Sequence, residues 1–372
     1  MKDWKIAVIG VGYVGRPLLA ALKKHFYAFG YDIDPNRSEI KETELSRFNA
    51  YIVCVPTPCD IKNNPDLQFI IKAADILSKY VKHGDLVVLE STVAPGTTRN
   101  IFGPRVACKR EIMIGYSPER IDPGSKYELP ENITKICAGD PKTIEAMGQV
   151  YSKVFKSLVY GSIESAEFAK LLENTQRDFN IALMNHCLDI SWRMGVDFSE
   201  IWALAKTKWN FLPFKPGMVG GHCIPVDPHY LAKWAGSQLV EDIRQVNDYF
   251  IDTLSEKVAE LISPMDNVLL WGYTYKDGCP DTRESGPLHL AGNLKDMGFS
   301  VTLFDPLVDN GEVPQGNYDM AIICRNHAQY SSMLYNHLES RGWRVISLVD
   351  DLPKDVRCDW SYFKSNFIAH TN

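Results

Sequence analysis

The sequence predicts an α/β chain in which two doubly wound units flank a helical block. Three observations carry that expectation. Short β-branched apolar runs alternate with amphipathic segments through the first half of the chain. From Ile163 to about Ile262 the alternation gives way to long helical stretches with few turn signals. From Asn267 it returns. A length of 372 residues exceeds one ordinary domain and leaves room for two or three. The expected boundaries are 1–162, 163–262 and 263–372.

In the first segment the strand candidates are residues 5–9, 51–55, 86–89, 112–115 and 133–138. Buried parallel strands read as continuous apolar runs, and the intervening helices imply βαβ units. A helix is expected over 17–24. Only 18 residues separate Asp32 from Tyr51, which leaves room for one short helix at 39–48. In the middle segment, residues 164–193 carry apolar side chains at 168, 171, 172, 179, 182, 183 and 190, close to a 3.6-residue period. Such a helix links domains, makes a dimer interface or lies in a core, and the pattern alone does not choose. In the last segment the strand candidates are 267–273, 300–304, 320–324 and 344–348, with a helix near 287–297.

Composition narrows the class. A hydrophobic fraction of 45% and a charged fraction of 23% are those of a soluble globular protein. A net charge of −6 gives no general attraction for nucleic acid or anionic membrane, so any phosphate binding must be local. The nine cysteines are odd in number and scattered, with no CxxC pair, which points to reduced thiols in a cytoplasmic setting and to no metal site. Lys2 and Lys5 precede an apolar run, but glycines break it and no small-residue cleavage site follows. No apolar stretch approaches the roughly 20 residues that span a bilayer.

Two motifs carry chemistry. Gly10, Gly12 and Gly15 follow an apolar strand and open a helix, where glycines permit a tight turn and close approach of backbone to a pyrophosphate. Asp32 follows Gly10 by 22 residues, the distance at which an acid reaches the ribose hydroxyls and disfavours a 2′-phosphate. NAD is therefore expected over NADP. A structural glycine turn beside a solvated acid would have the same composition. The second motif is Gly220-Gly221-His222-Cys223-Ile224-Pro225-Val226-Asp227, a thiol behind a glycine pair and four residues ahead of an acid. Cysteine is more often a small buried hydrophobe, yet this is a shaped loop and small neighbours let a substrate approach. A hydride acceptor together with a positioned thiol is the equipment for taking an alcohol past the aldehyde to an acid.

Further candidates surround these. Lys170 and Asn174 lie four residues apart on one helix face, where the lysine can hold an oxyanion or act as a base. A snorkelling lysine and a surface asparagine fit that spacing equally well. Glu90-Ser91-Thr92 and Tyr116-Ser117-Pro118-Glu119-Arg120 each follow a strand, at the sheet edge where ligands bind in such folds. Ordinary helix caps use the same residue types.

Taken together, these motifs resemble those of the nucleotide-sugar 6-dehydrogenases, the UDP-glucose/GDP-mannose dehydrogenase family, from about Lys5 to Asp309. The run from Lys208 to Gly217 leading into the Cys223 loop is similar to the branch acting on UDP-N-acetylhexosamines, such as UDP-GlcNAc or UDP-GalNAc. The glucose branch tends to carry a lysine directly before the acid of the thiol loop, where this chain has Val226. The resemblance implies two Rossmann-like doubly wound domains joined by a central helical dimerisation region, and hence a homodimer. It implies that Cys223 attacks the aldehyde to give a thiohemiacetal, that a second oxidation gives a thioester, and that water hydrolyses it. Lys170 and Asn174 would stabilise the oxyanion, Asp227 would order the acid–base network, and Thr92 and Glu119 would position water and sugar. The implied NAD contacts are Gly10, Gly12, Tyr13, Val14, Gly15, Asp32, Arg37, Thr57, Thr92 and Arg283. Those to the UDP-sugar are Glu119, Arg120, Lys170, Asn174, Gly220 and Lys276.

The chain departs from the family pattern twice. The stretch between Asp32 and Tyr51 is shorter by roughly one βα unit, which pares down the adenosine side. His186 follows Asn185 where an acid is common. Other readings stay open: the same oxidation of UDP-glucose, a nucleotide-sugar-binding protein that has lost catalysis, and a two-electron dehydrogenase of the 3-hydroxyacid or 6-phosphogluconate type, which needs no thiol.

Overall fold

The computed structural model describes residues 2–122 and 129–349, together with 352, 358, 360 and 361. The chain packs as two compact units. The first comprises Met1–Asn174 and Val226–Ser237, and the second Thr175–Pro225 and Gln238–Asn372. Residues of the central helical segment thus enter both units.

In the first unit the chain runs β1 (Lys5–Ile9), α1 (Gly15–Lys23), β2 (Tyr27–Tyr31), β3 (Ala50–Val53), α2 (Gln68–Leu77) and β4 (Leu86–Leu89). It continues through α3 (Gly103–Ala107), β5 (Met113–Tyr116), β6 (Thr134–Ala138), α4 (Pro141–Tyr151) and β7 (Ser157–Gly161). The strands form one sheet in the order β2-β1-β3-β4-β5-β6-β7, parallel throughout except where β6 opposes β5. Side-chain alternation sends Ile6, Val8, Ile52 and Val88 to one face, and Ala7, Ile9, Tyr51, Val53 and Leu89 to the other. Both faces are therefore covered, as a parallel sheet requires. Leu18, Leu19 and Leu22 of α1 lie buried on the first face, each worth about 1.5–3 kcal/mol in water-exclusion terms.

The short stretch after Asp32 has a defined consequence. In the usual doubly wound order a further strand lies outside the second one. Here β2 is the sheet edge, paired only with β1. The unpaired edge is covered by a single residue: the Glu39 N–H donates to the Gly30 carbonyl (2.9 Å), and the Glu39 carboxylate accepts the Gly30 N–H (3.0 Å). The Ser38 hydroxyl accepts the Asp32 N–H at 3.1 Å. The helix expected at 39–48 is a 3-10 turn over Glu42–Arg47. Six residues gain too few hydrogen bonds to offset α-helix nucleation, and the tighter turn closes the span.

Within the second unit, β8 (Asn267–Trp271), β9 (Ser300–Phe304), β10 (Met320–Ile323), β11 (Arg344–Ser347) and β12 (Trp360–Ser361) form a parallel sheet in the order β12-β11-β10-β8-β9. Six further helices are described: α5 (Ile163–Met194), α6 (Phe198–Ala205), α7 (Asp227–Ala235), α8 (Gln238–Ala259), α9 (Gly286–Asp296) and α10 (Ser331–Arg341), the last following β10. One sheet face packs Val268, Leu270 and Ile322 against Leu188, Phe250, Leu254 and Leu290. The other gathers Leu269, Trp271, Phe304 and Leu334.

α5 sorts its residues differently from a simple amphipathic helix. Its buried positions include Glu167, Lys170, Asp178 and Asn185, while Phe168, Leu172, Leu183, Ile190 and Met194 are exposed. The apolar period seen in the sequence is largely that of an exposed stripe. Among the described residues no helix is long and apolar enough to cross a membrane.

Candidate active site

The switch point of the first sheet lies between β1 and β3, where strand order reverses and a crevice opens at the carboxyl ends. The glycine turn sits there. Gly10 has φ +90°, and a Cβ on it would lie 2.7 Å from the Cys54 carbonyl oxygen. A Cβ on Gly15 would lie 1.9 Å from the Gly10 carbonyl oxygen, so close packing of turn and helix excludes any side chain. Gly12 has nothing within 4 Å of its would-be Cβ, which leaves the tip open for a ligand. The Asp32 carboxylate accepts the Val11 N–H at 2.7 Å and the Asp34 N–H at 2.9 Å, which holds it against the turn. Val14 caps α1 with no side-chain hydrogen bond, and Tyr13 is exposed beside it. An open glycine tip, a helix start and a fixed carboxylate fit the pyrophosphate and ribose of a dinucleotide. Arg37 lies further out, paired with Asp34 at 3.3 Å. Thr57 follows β3, and the Tyr230 hydroxyl donates to the carbonyl of the adjacent Pro58 at 3.4 Å.

A second constellation forms in the same unit. Lys170 is buried and donates to the Glu119 carbonyl oxygen at 2.7 Å. Asn174, one turn along α5, donates to the Asp227 carboxylate at 2.5 Å. Asp227 opens α7, and the segment Val226–Ser237 belongs to this unit although the residues before it do not. Burial pushes the Asp227 carboxyl up to about 6, with Lys170 and Asn174 pulling the other way. Glu119 follows β5, and its carboxylate accepts the backbone N–H groups of Arg120 and Ile121. The Arg120 guanidinium pairs with Glu173 and donates to the Thr134 carbonyl. Thr92, half-buried, lies beyond β4.

In the second unit Cys223 is an exposed thiol, and none of the nine cysteines is in a disulfide. Its loop packs on the segment that carries Lys276 and Arg283. A Cβ on Gly220 would lie 2.5 Å from the Glu284 carbonyl oxygen, and one on Gly221 (φ +84°) 2.7 Å from the Tyr275 ring. Glycine is required at both. Burial pulls the His222 imidazole down, and Arg283 adds to it against Asp281 and Glu284. Arg283 is held by a two-pronged ion pair with Asp281. The loop's start is clamped by Asn185, which accepts the Gly217 N–H (2.8 Å) and donates to the Gly217 carbonyl (3.1 Å) and Asn247 (2.8 Å). His186 is exposed; its neighbour Asn185 does the holding.

Three sets of contacts are not announced by the sequence. They are the Asn185 clamp, the buried Glu90–Lys135 pair behind Glu119 (2.8 Å), and His327 with Asp305. His327 Nδ1 accepts the Gly278 N–H at 3.0 Å and Nε2 meets Asp305 at 3.1 Å, while Asp305 accepts the Thr274 N–H. These bonds bracket Lys276. No local spacing announces them, since each joins residues far apart in sequence. Among the described residues no cluster of three or more His, Cys, Asp or Glu could hold a metal.

Comparison with known proteins identifies the family. Residues 36–157 match the NAD-binding domain of the UDP-glucose/GDP-mannose dehydrogenase family, 164–249 its central domain and 269–350 its UDP-binding domain. The chain is 35% identical over 421 aligned positions to UDP-N-acetyl-D-glucosamine 6-dehydrogenase of Pseudomonas aeruginosa, covering 96% of this chain and 100% of that one. That alignment is longer than the chain itself, so the relative carries sequence that this chain lacks. UDP-N-acetyl-D-mannosamine dehydrogenase of Methanocaldococcus jannaschii is 32% identical, over 88% of this chain and 87% of the other. The solved UDP-D-ManNAc dehydrogenase of Pyrococcus horikoshii superposes with a TM-score of 0.84 at 25% identity, over 96% of this chain and 99% of that one. The chain is therefore a member of the UDP-glucose/GDP-mannose dehydrogenase family, an NAD-dependent nucleotide-sugar dehydrogenase.

Proposed function

We propose that the protein oxidises carbon 6 of a UDP-N-acetylhexosamine, UDP-GlcNAc or UDP-GalNAc, to the uronic acid in two steps. The observation that carries this reading is the buried Asp227 carboxylate held by Asn174 beside Lys170, four residues after Cys223 in the chain. A simple two-electron alcohol dehydrogenase needs no thiol. The relatives named for UDP-N-acetyl-D-glucosamine and UDP-N-acetyl-D-mannosamine favour an N-acetylated sugar.

NAD, bound at the Gly10–Gly15 turn, supplies the hydride acceptor. Lys170 and Asn174 stabilise negative charge on the carbon-6 oxygen. Cys223 adds to the aldehyde, and its sulfur holds carbon 6 through the thiohemiacetal and thioester. Glu119 and Thr92 position the water that releases the acid. Lys276 and Arg120 contact the sugar nucleotide, and Arg283 the cofactor.

The working form is a homodimer. Phe168, Leu172, Phe179, Leu183, Ile190 and Met194 recur at alternating spacings of four and seven on α5, an 11-residue repeat. That repeat gives about 3.67 residues per turn, so the stripe runs nearly straight along the helix and suits a second copy.

A panel of UDP-sugars read by NADH formation tests the substrate. UDP-GlcNAc or UDP-GalNAc should turn over fastest. Faster turnover of UDP-glucose or UDP-ManNAc would reassign the sugar, and tight UDP-sugar binding with no NADH would remove the catalytic reading.

A further inference from the structure

The least explained feature of the first unit is a lysine with no access to water. Lys135, on β6, and Glu90, just after β4, have side chains 1% and 0% exposed and lie 2.8 Å apart. The Tyr151 hydroxyl of α4 donates to the other Glu90 oxygen. Burying such a pair costs several kcal/mol per ion, and apolar replacements of similar volume are often as stable. The pair is therefore weak as a stability device, and its position suggests another use. Lys135 Nζ lies 3.7 Å from Glu119 Oε2 and 3.4 Å from the Pro118 carbonyl. Glu119 Oε1 is fixed by the two backbone N–H groups already described, whereas the buried Oε2 has no hydrogen-bond partner. Lys135 is the charge that faces it.

We propose that Lys135, balanced on its far side by Glu90, is a positioning residue that holds the Glu119 carboxylate as the proton acceptor for thioester hydrolysis. This rests on the preceding reading, in which Glu119 positions the hydrolytic water. In that step the water oxygen adds to the thioester carbonyl carbon and its proton passes to Glu119. The carbon–sulfur bond then breaks, leaving the uronic acid and the Cys223 thiolate, with no change in oxidation state. Two carboxylates facing one another in a dry site repel, and without an intervening cation one of them keeps a proton. The groups facing Lys135 are Glu90, Glu119, the Tyr151 ring at the end of α4, the Phe155 ring in the segment after it, Cys54 after β3, and Cys137 on β6 itself. Burial pulls the Lys135 ammonium down, but Glu90 and Glu119 outweigh it and the net shift is upward, so the lysine stays charged. Burial raises Glu90 to about 7 in spite of Lys135, and burial raises the Cys54 and Cys137 thiols. The cluster thus contains one fixed cation and two carboxylates that share it.

The test follows single turnovers of Lys135→Met, Glu90→Gln and Glu119→Gln enzymes with UDP-GlcNAc and NAD, reading NADH and the mass of the intact protein. In Lys135→Met we expect a burst of two NADH per subunit, a sugar adduct retained on Cys223, and hydrolysis at least about tenfold slower at pH 7.5. Its hydrolysis rate should recover as pH rises. Glu90→Gln should move the acid limb of the hydrolysis profile the opposite way, to lower pH. Parent-like hydrolysis in Lys135→Met, or loss of the first NADH as well, overturns the assignment. Should Lys135→Met not fold, Glu90→Gln decides: an unmoved acid limb overturns it. Glu119→Gln separates the two levels. Normal hydrolysis there refutes the role of Glu119 itself, while trapping there without trapping in Lys135→Met refutes only that of Lys135.

Discussion

Asp227 combines burial with only one hydrogen bond described to its carboxylate, and that combination has a measurable cost. Its carboxyl titrates at about 6 against an ordinary 3.8. A carboxyl raised in the folded state binds its proton more tightly there than when unfolded, so this group's contribution to stability is greatest below about pH 4 and is lost as pH rises through 6. Two pH units correspond to on the order of 3 kcal/mol. Asp227→Asn, which removes the charge and keeps a partner for Asn174, should therefore be more stable than the parent at pH 7.5. In paired denaturant melts the gain should vanish near pH 4, while activity is lost at both values. The glycine turn makes a second prediction at this scale. Gly15→Ala would place a methyl against the Gly10 carbonyl, with no flexible neighbour to yield. Gly12→Ala meets nothing. Gly15→Ala should lower both stability and NAD affinity, whereas Gly12→Ala should keep stability within about 0.5 kcal/mol of the parent and weaken NAD binding alone. Equal loss of Tm in the two variants would contradict the packing described.

At the scale of elements, α5 bears the most varied duties. One face buries Lys170 and Asn185, and another leaves an apolar stripe in water. Leu172→Glu with Leu183→Glu should convert a dimer to a monomer in sedimentation equilibrium, with little change in helix content by circular dichroism. A parent that is already monomeric would remove the stripe's assignment. The same helix shows why its sequence was ambiguous: periodicity reports an apolar stripe but not whether a core or a partner covers it. Strands β1, β4 and β9 were legible to the residue because their apolar runs are uninterrupted and bounded by turns. β2 was not recognised, since Gly30 interrupts it and its outer edge is served by Glu39 rather than by another strand. β7 is half exposed and polar-flanked, which weakens its pattern. The glycine turn with Asp32 and the Cys223 loop stood out in the sequence because each lies within a short, characteristic spacing. Lys135 was not, because Glu90 is 45 residues away and only the sheet brings the two together.

For the whole molecule, the path of the chain matters more than its composition. Cys223 belongs to the second unit, with Lys276 and Arg283, while Asp227 belongs to the first, with Lys170 and Asn174. Only Ile224, Pro225 and Val226 lie between Cys223 and Asp227 in the chain. The first unit has dispensed with an outer strand and kept every glycine of the turn, with Asp32 fixed against it. The proposed double oxidation would use the glycine-turn site twice for each sugar. The most direct test is the amount of NADH formed per UDP-sugar consumed to completion by the parent enzyme, with Cys223→Ala in parallel. Two NADH per sugar and a uronic acid product, lost in Cys223→Ala, are predicted. One NADH per sugar, or full acid formation without Cys223, would contradict the thioester route.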